Sequence, residues 1–175
     1  MIASYSRLAR ILQRVSQCAA VLMPIIAVTT WLFWDTLAPQ TPVAATGLDV
    51  TALDLTGRVI GFSVSMVLAL IHSYGLLGLA QTFAQGALGN ALSAQSIAGF
   101  KRFTWTALAL VPAKIAQQTF LILLVSLSDT ASPGQIAVRI GSPEISAGFT
   151  AILLVFVAQV FVQGHAAEEE NKAFL

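Results

Sequence analysis

The chain alternates long apolar stretches with short polar ones, on a period far longer than a strand could use. Apolar runs occupy residues 15–34, 59–81, 105–128 and 145–163. At 1.5 Å per residue, about 20 residues cross the roughly 30 Å of a bilayer's hydrocarbon. The pattern therefore predicts an all-α integral membrane protein, a four-transmembrane-helix bundle that forms one domain over residues 1–175. Ahead of the first run, Ile2, Tyr5, Leu8, Leu12 and Val15 share one helical side, while Arg7, Arg10 and Arg14 recur on another. That spacing predicts an amphipathic, basic N-terminal helix lying on anionic lipid.

The flanks of each run refine this picture. Trp31, Phe33 and Trp34 end the first as an interfacial aromatic belt, and Pro24 predicts a kink within it. Arginines before an apolar run also fit a signal peptide, with Ala44 and Ala45 as a cleavage context, but the run is long for that purpose and reads as a retained anchor. In the second run Gly61, Ser65, Ala69 and Ser73 recur every four residues as a ridge of small side chains suited to close helix contact. Residues 82–96 turn to Ala, Gly, Gln, Ser and Asn, which predicts a short turn, with Ser93 as N-cap of the next helix. Between the last two runs, Ser132, Pro133 and Gly134 predict a turn. Ile136, Val138 and Ile140 then alternate with Ala137 and Arg139, the period of a short extracytoplasmic strand or hairpin.

Charge sets the orientation. Four crossings place Arg7, Arg10, Arg14, Lys101, Arg102 and Lys172 on one side and Arg58 and Arg139 on the other. The positive-inside rule then predicts both termini in the cytoplasm, short extracytoplasmic loops and a bacterial inner-membrane location. With 175 residues, 57% hydrophobic and 10% charged, the chain has too few charges to clothe a water-facing globule. A net charge of +1 gives no global attraction to nucleic acid, so direct nucleic-acid binding is not expected. Cys18 is the one cysteine, which excludes a disulfide or a cysteine metal cluster.

Candidate chemistry centres on Lys114, which lies inside the third run beside Pro112 and is followed by Gln117 and Gln118 on the same helical face. A lysine in hydrocarbon must snorkel, face the bundle interior or find a partner. His72, Lys114, Gln117, Gln118 and Gln159 come from three runs and are counted into their cytoplasmic halves. They read either as separate interhelical hydrogen bonds with one snorkelled lysine, or as an intramembrane polar cluster that binds a ligand or senses protons. Haem or metal binding needs converging ligands, and the two histidines stand apart, His72 well inside a run and His165 beyond a run's end. No paired carboxylates, phosphate loop or zinc spacing appears, so neither an enzyme nor a cofactor is expected. Glu168, Glu169, Glu170 and Asn171 form an acidic end, either solvated or docking a basic partner.

RLARILQRVSQ, SPGQIAVRIGS and the closing VFVQGHAAEEENKAFL together resemble the bacterial membrane family catalogued as domain of unknown function 2975. The closing segment is similar to that family's Glu-Glu-Asn signature at Glu169, Glu170 and Asn171, with Phe174 beyond it. GLLGLAQTFAQGALGN departs from the family pattern, being nearly free of charge where an arginine-rich segment is usual. Members are often encoded beside a small Cro-type helix-turn-helix regulator, so the resemblance implies a non-enzymatic, membrane-held partner of such a regulator. The small-residue ridge and scarce water-facing loops serve a second reading equally well, an accessory or assembly subunit of a respiratory, photosynthetic or transport complex. Besides lipids, a protein partner is thus expected in either case. A transporter would need a water-accessible cavity around Lys114, and no inverted repeat accompanies it.

Overall fold

The computed structural model describes the backbone of residues 2–128, 134 and 136–173 and, within these, every side chain except those at 2–5, 52, 168 and 171–173. Four long helices carry the chain: α1 (Ile2–Leu32), α3 (Leu55–Ala87), α4 (Ala94–Ser128) and α5 (Ser142–Ala173). A four-residue helix, α2 (Trp34–Leu37), follows α1. All four long helices are long and apolar enough to cross a membrane. Their 31 to 35 residues amount to about 46–53 Å, well beyond the thickness of the hydrocarbon.

The helices overrun the expected spans because nothing in the flanking sequence stops them. The basic N-terminal segment is not a separate surface helix. With no glycine or proline before Pro24, α1 runs unbroken from Ile2 through its arginines and past that proline. Likewise α3 continues beyond Gln81 to Ala87, and the expected turn shrinks to residues 88–93. The Thr82 hydroxyl ties this extension to α4 by donating to the Ser96 carbonyl at 2.9 Å. Ser93 caps α4 as its sequence position predicts, accepting from the Ser96 N–H at 3.2 Å.

Packing is serial: α1 against α3, α3 against α4, and α5 against α4. Small residues allow the close approaches. Gly61 of α3 lies under the Trp31 ring of α1, and a Cβ on Gly78 would stand 2.6 Å from the Gly99 carbonyl of α4. The Ser73 hydroxyl donates to the Ala20 carbonyl of α1 at 2.6 Å. Rising numbers in α3 thus meet falling numbers in α1 and α4, so neighbours are antiparallel. As a result the start of α1, the 88–93 turn and the end of α5 share one end of the bundle.

Residues 33–54 close the other, or cap, end with α2 and three single 3₁₀ turns. Trp34, Ala38, Val43, Leu48, Val50 and Leu53 bury against Ile122 and Val125 near the end of α4. The Trp34 indole N–H donates to the Val50 carbonyl at 2.9 Å, and its ring stacks on Trp31 with centroids 4.4 Å apart. A large side chain with a satisfied donor can anchor a small core of this kind.

The strand or hairpin expected at Ile136–Ile140 is corrected: no strand occurs among the described residues. Without a neighbouring edge to pair with, an extended segment gains no ladder of hydrogen bonds. Ile136 and Val138 instead lie over Pro112, Ile115, Phe120 and Leu123 of α4. Ser132 and Pro133 of the expected turn fall outside the described residues, while Gly134 takes a turn conformation with φ of 80°.

Candidate functional site

The stagger of α5 creates the site. Pro143 in its first turn and the Glu144 beside it lie at the level of Lys114, midway along α4. From there α5 descends along the first half of α4, with Gly148 next to Val111 and Phe161 beside Phe100. Beyond that level α5 no longer covers α4, whose second half meets α3, the cap and residues 136–140.

Two cavities meet at this level. The first, about 500 Å³, lies between α1 and α4 with α3 as its floor, and reaches from Trp31, Trp34 and Thr41 at the cap end down to His72. The second, about 600 Å³, lies between Phe103, Ala107 and Val111 of α4 and Ser146, Thr150 and Leu154 of α5. His72, Leu110, Lys114 and Glu144 line both.

The junction carries opposite charges. Glu144 stands in the first turn of α5, and its Oε2 accepts the Gly141 N–H at 2.8 Å. Lys114 is exposed to the cavities, and no ion pair within 4.0 Å joins it to Glu144. Gln118 lines the first cavity one turn above Lys114. Gln117 instead crosses to α3, donating from Nε2 to the Ser65 hydroxyl at 2.9 Å.

Of the polar residues singled out from the sequence, His72, Lys114, Gln117 and Gln118 therefore face one space. Gln159 does not: it lies on the exposed side of α5 and lines neither cavity. Glu144 is the member that sequence reasoning missed, because it precedes the last apolar run and reads as a loop residue outside it. The signal that could have found it is Ser142-Pro143-Glu144, a helix-opening pattern with proline and an acid in the first turn. The ridge of small residues divides its contacts. Gly61 and Ser73 meet α1, Ser65 meets α4, and Ala69 lines the first cavity.

Toward the end shared by the termini, Arg102 sits over the Tyr74 ring at 4.8 Å from its centroid and donates to Gln81 Oε1 at 3.1 Å. Residues 168–171 continue α5 as helix, with Glu169 and Glu170 exposed; the side chains of Glu168 and Asn171 fall outside those described. At the cap end, Arg58 holds Asp35 at 2.6 Å, and this hydrogen bond keeps the Asp35 carboxyl below its ordinary value. Among the described residues no three His, Cys, Asp or Glu side chains converge as metal ligands would. Compared with known protein families, curated proteins and solved structures, the chain has no significant match.

Proposed function

We propose that the chain is a non-enzymatic, multi-pass protein of the bacterial inner membrane, related to the domain of unknown function 2975 family, with both termini cytoplasmic. It holds a small helix-turn-helix regulator at the membrane through its acidic end. The observation that carries this reading is the continuity of α5, which extends as one helix from its apolar part to Ala173. Glu170 is exposed on this helix and Glu169 lies beside the turn at residues 89–94, at the end where Arg7, Arg10 and Arg14 also lie. Acids so displayed complement a basic DNA-binding surface and compete with DNA for it. The test is co-purification of the full-length chain with a helix-turn-helix regulator encoded beside it. Replacing Glu168, Glu169 and Glu170 by Gln abolishes recovery of the regulator; equal recovery by both forms contradicts the reading.

A second reading, an accessory subunit of a larger membrane complex, is favoured by one feature. α5 packs mainly on α4, which leaves Phe149, Ile152, Phe156 and Val160 exposed along its flank. Isolation from native membrane in stoichiometric union with a respiratory, photosynthetic or transport assembly distinguishes it from the first reading.

A further inference from the structure

We infer that the junction of the two cavities is a binding site for a dipolar amphiphile of the ethanolamine phospholipid class, its anionic phosphate on Lys114, its ammonium on Glu144 and an acyl tail in the groove between α4 and α5. The inference stands independently of the regulator reading, since it uses none of the acidic end.

Charge is the first support. Lys114 and Glu144 line the same two cavities, midway along α4, without pairing to each other within 4.0 Å. An ammonium open to these cavities, and a carboxylate beside it held only by the Gly141 N–H, each gain from a partner of opposite charge. A purely anionic ligand satisfies Lys114 and repels Glu144, and a purely cationic one does the reverse. A ligand carrying both signs on neighbouring groups satisfies the pair and leaves the site neutral.

Shape is the second. The two cavities, about 500 and 600 Å³, each fall within the roughly 300–1,000 Å³ typical of ligand pockets. Both linings are mostly apolar with a few polar groups set among them. Toward the cap end Gln118, Thr30 and Thr41 are interspersed with Ile26, Trp31 and Leu121. Between α4 and α5, Phe103, Ala107, Val111 and Leu154 give an acyl chain an apolar wall, with Ser146 and Thr150 on the side of α5. The Gln117 amide is engaged with Ser65, while Gln118 and His72 line the junction and can add hydrogen bonds to the headgroup.

Native mass spectrometry of the full-length protein in detergent, titrated with defined lipids, tests this. Lysophosphatidylethanolamine forms a one-to-one complex at a concentration at least tenfold lower than lysophosphatidylglycerol, which has the phosphate but lacks the ammonium. Equal binding of the two overturns the dipolar assignment, and this comparison needs no variant. Lys114→Gln and Glu144→Gln each erase the preference, and the exchange K114E/E144K restores it. A preference that survives in both single variants, shown by circular dichroism to remain helical, overturns the site. Glycerophosphoethanolamine, the headgroup without a tail, competes at least tenfold less well than the lysolipid; equal competition overturns the assignment of the tail to the α4–α5 groove. A dimer that closes over the junction and excludes every lipid overturns the inference in favour of a second copy as occupant.

Discussion

Trp34 is 2% exposed and donates to the Val50 carbonyl, so truncation removes both a large apolar surface and the donor that pins the turn at residues 50–52. Trp34→Ala is expected to cost about 3–5 kcal/mol, whereas Trp34→Phe keeps most of the burial and loses about 1 kcal/mol with the hydrogen bond. Chemical unfolding in detergent, followed by circular dichroism, reads both. Next to it, the Arg58 guanidinium holds the Asp35 carboxyl below its ordinary value. A carboxylate with a lowered folded pKa contributes stability above its unfolded pKa and loses that contribution as pH falls through the folded one. Asp35→Asn is therefore expected to lower the melting temperature slightly at pH 7, and the gap to the unaltered protein closes below the ordinary carboxylate range; a gap constant with pH contradicts this. The effect is small because the pair is exposed to solvent. The sequence made Trp34 legible as an aromatic at a span's end but not as the centre of a cap core. A ring ending an apolar run is compatible with headgroups or with protein, and residues 43–53 had to be folded over it to decide.

Among the elements, α3 and α4 meet most closely where Gly78 and Gly99 face each other, each Cβ position lying within 2.6 Å of the other's carbonyl. Backbone cannot yield as a flexible side chain can. Gly78→Val is thus expected to part the two helices locally, and disulfide formation between cysteines placed at Thr82 and Ser96, in a Cys18→Ser background, drops by at least tenfold. Formation at the unaltered rate shows that the helices accommodate the valine. The number and placement of the long helices were legible because each holds an apolar run sufficient to cross a bilayer. Their ends were not, since alanine, glutamine and serine in residues 82–87 are as compatible with helix as with a turn once Thr82 has Ser96 to bond. The alternation at Ile136–Ile140 was read correctly as a period of two but wrongly as a strand, because periodicity reports which side chains face a surface and not whether that surface is a sheet or α4.

For the molecule as a whole, antiparallel packing brings the start of α1 and the end of α5 to one end of the bundle. Reporter fusions to the N- and C-termini of the full chain are accordingly expected to report the same side of the membrane; opposite signals refute the shared end. The serial order of packing was not legible, because α3, α4 and α5 carry apolar residues all round and offer no single apolar stripe to pair. Counting along the runs put the five candidate polar residues in cytoplasmic halves; the structure instead sets Lys114 level with the first turn of α5, the other end of the last run, and Glu144, outside any run, required the fold. One consequence of the late start of α5 concerns lipid and not protein. Three long helices pass through the level of the cap and four through the level below it, so the body is narrower at the cap end. Acyl chains, where a fourth helix would otherwise stand, are then expected against the flank of α4 beside Ile136 and Val138.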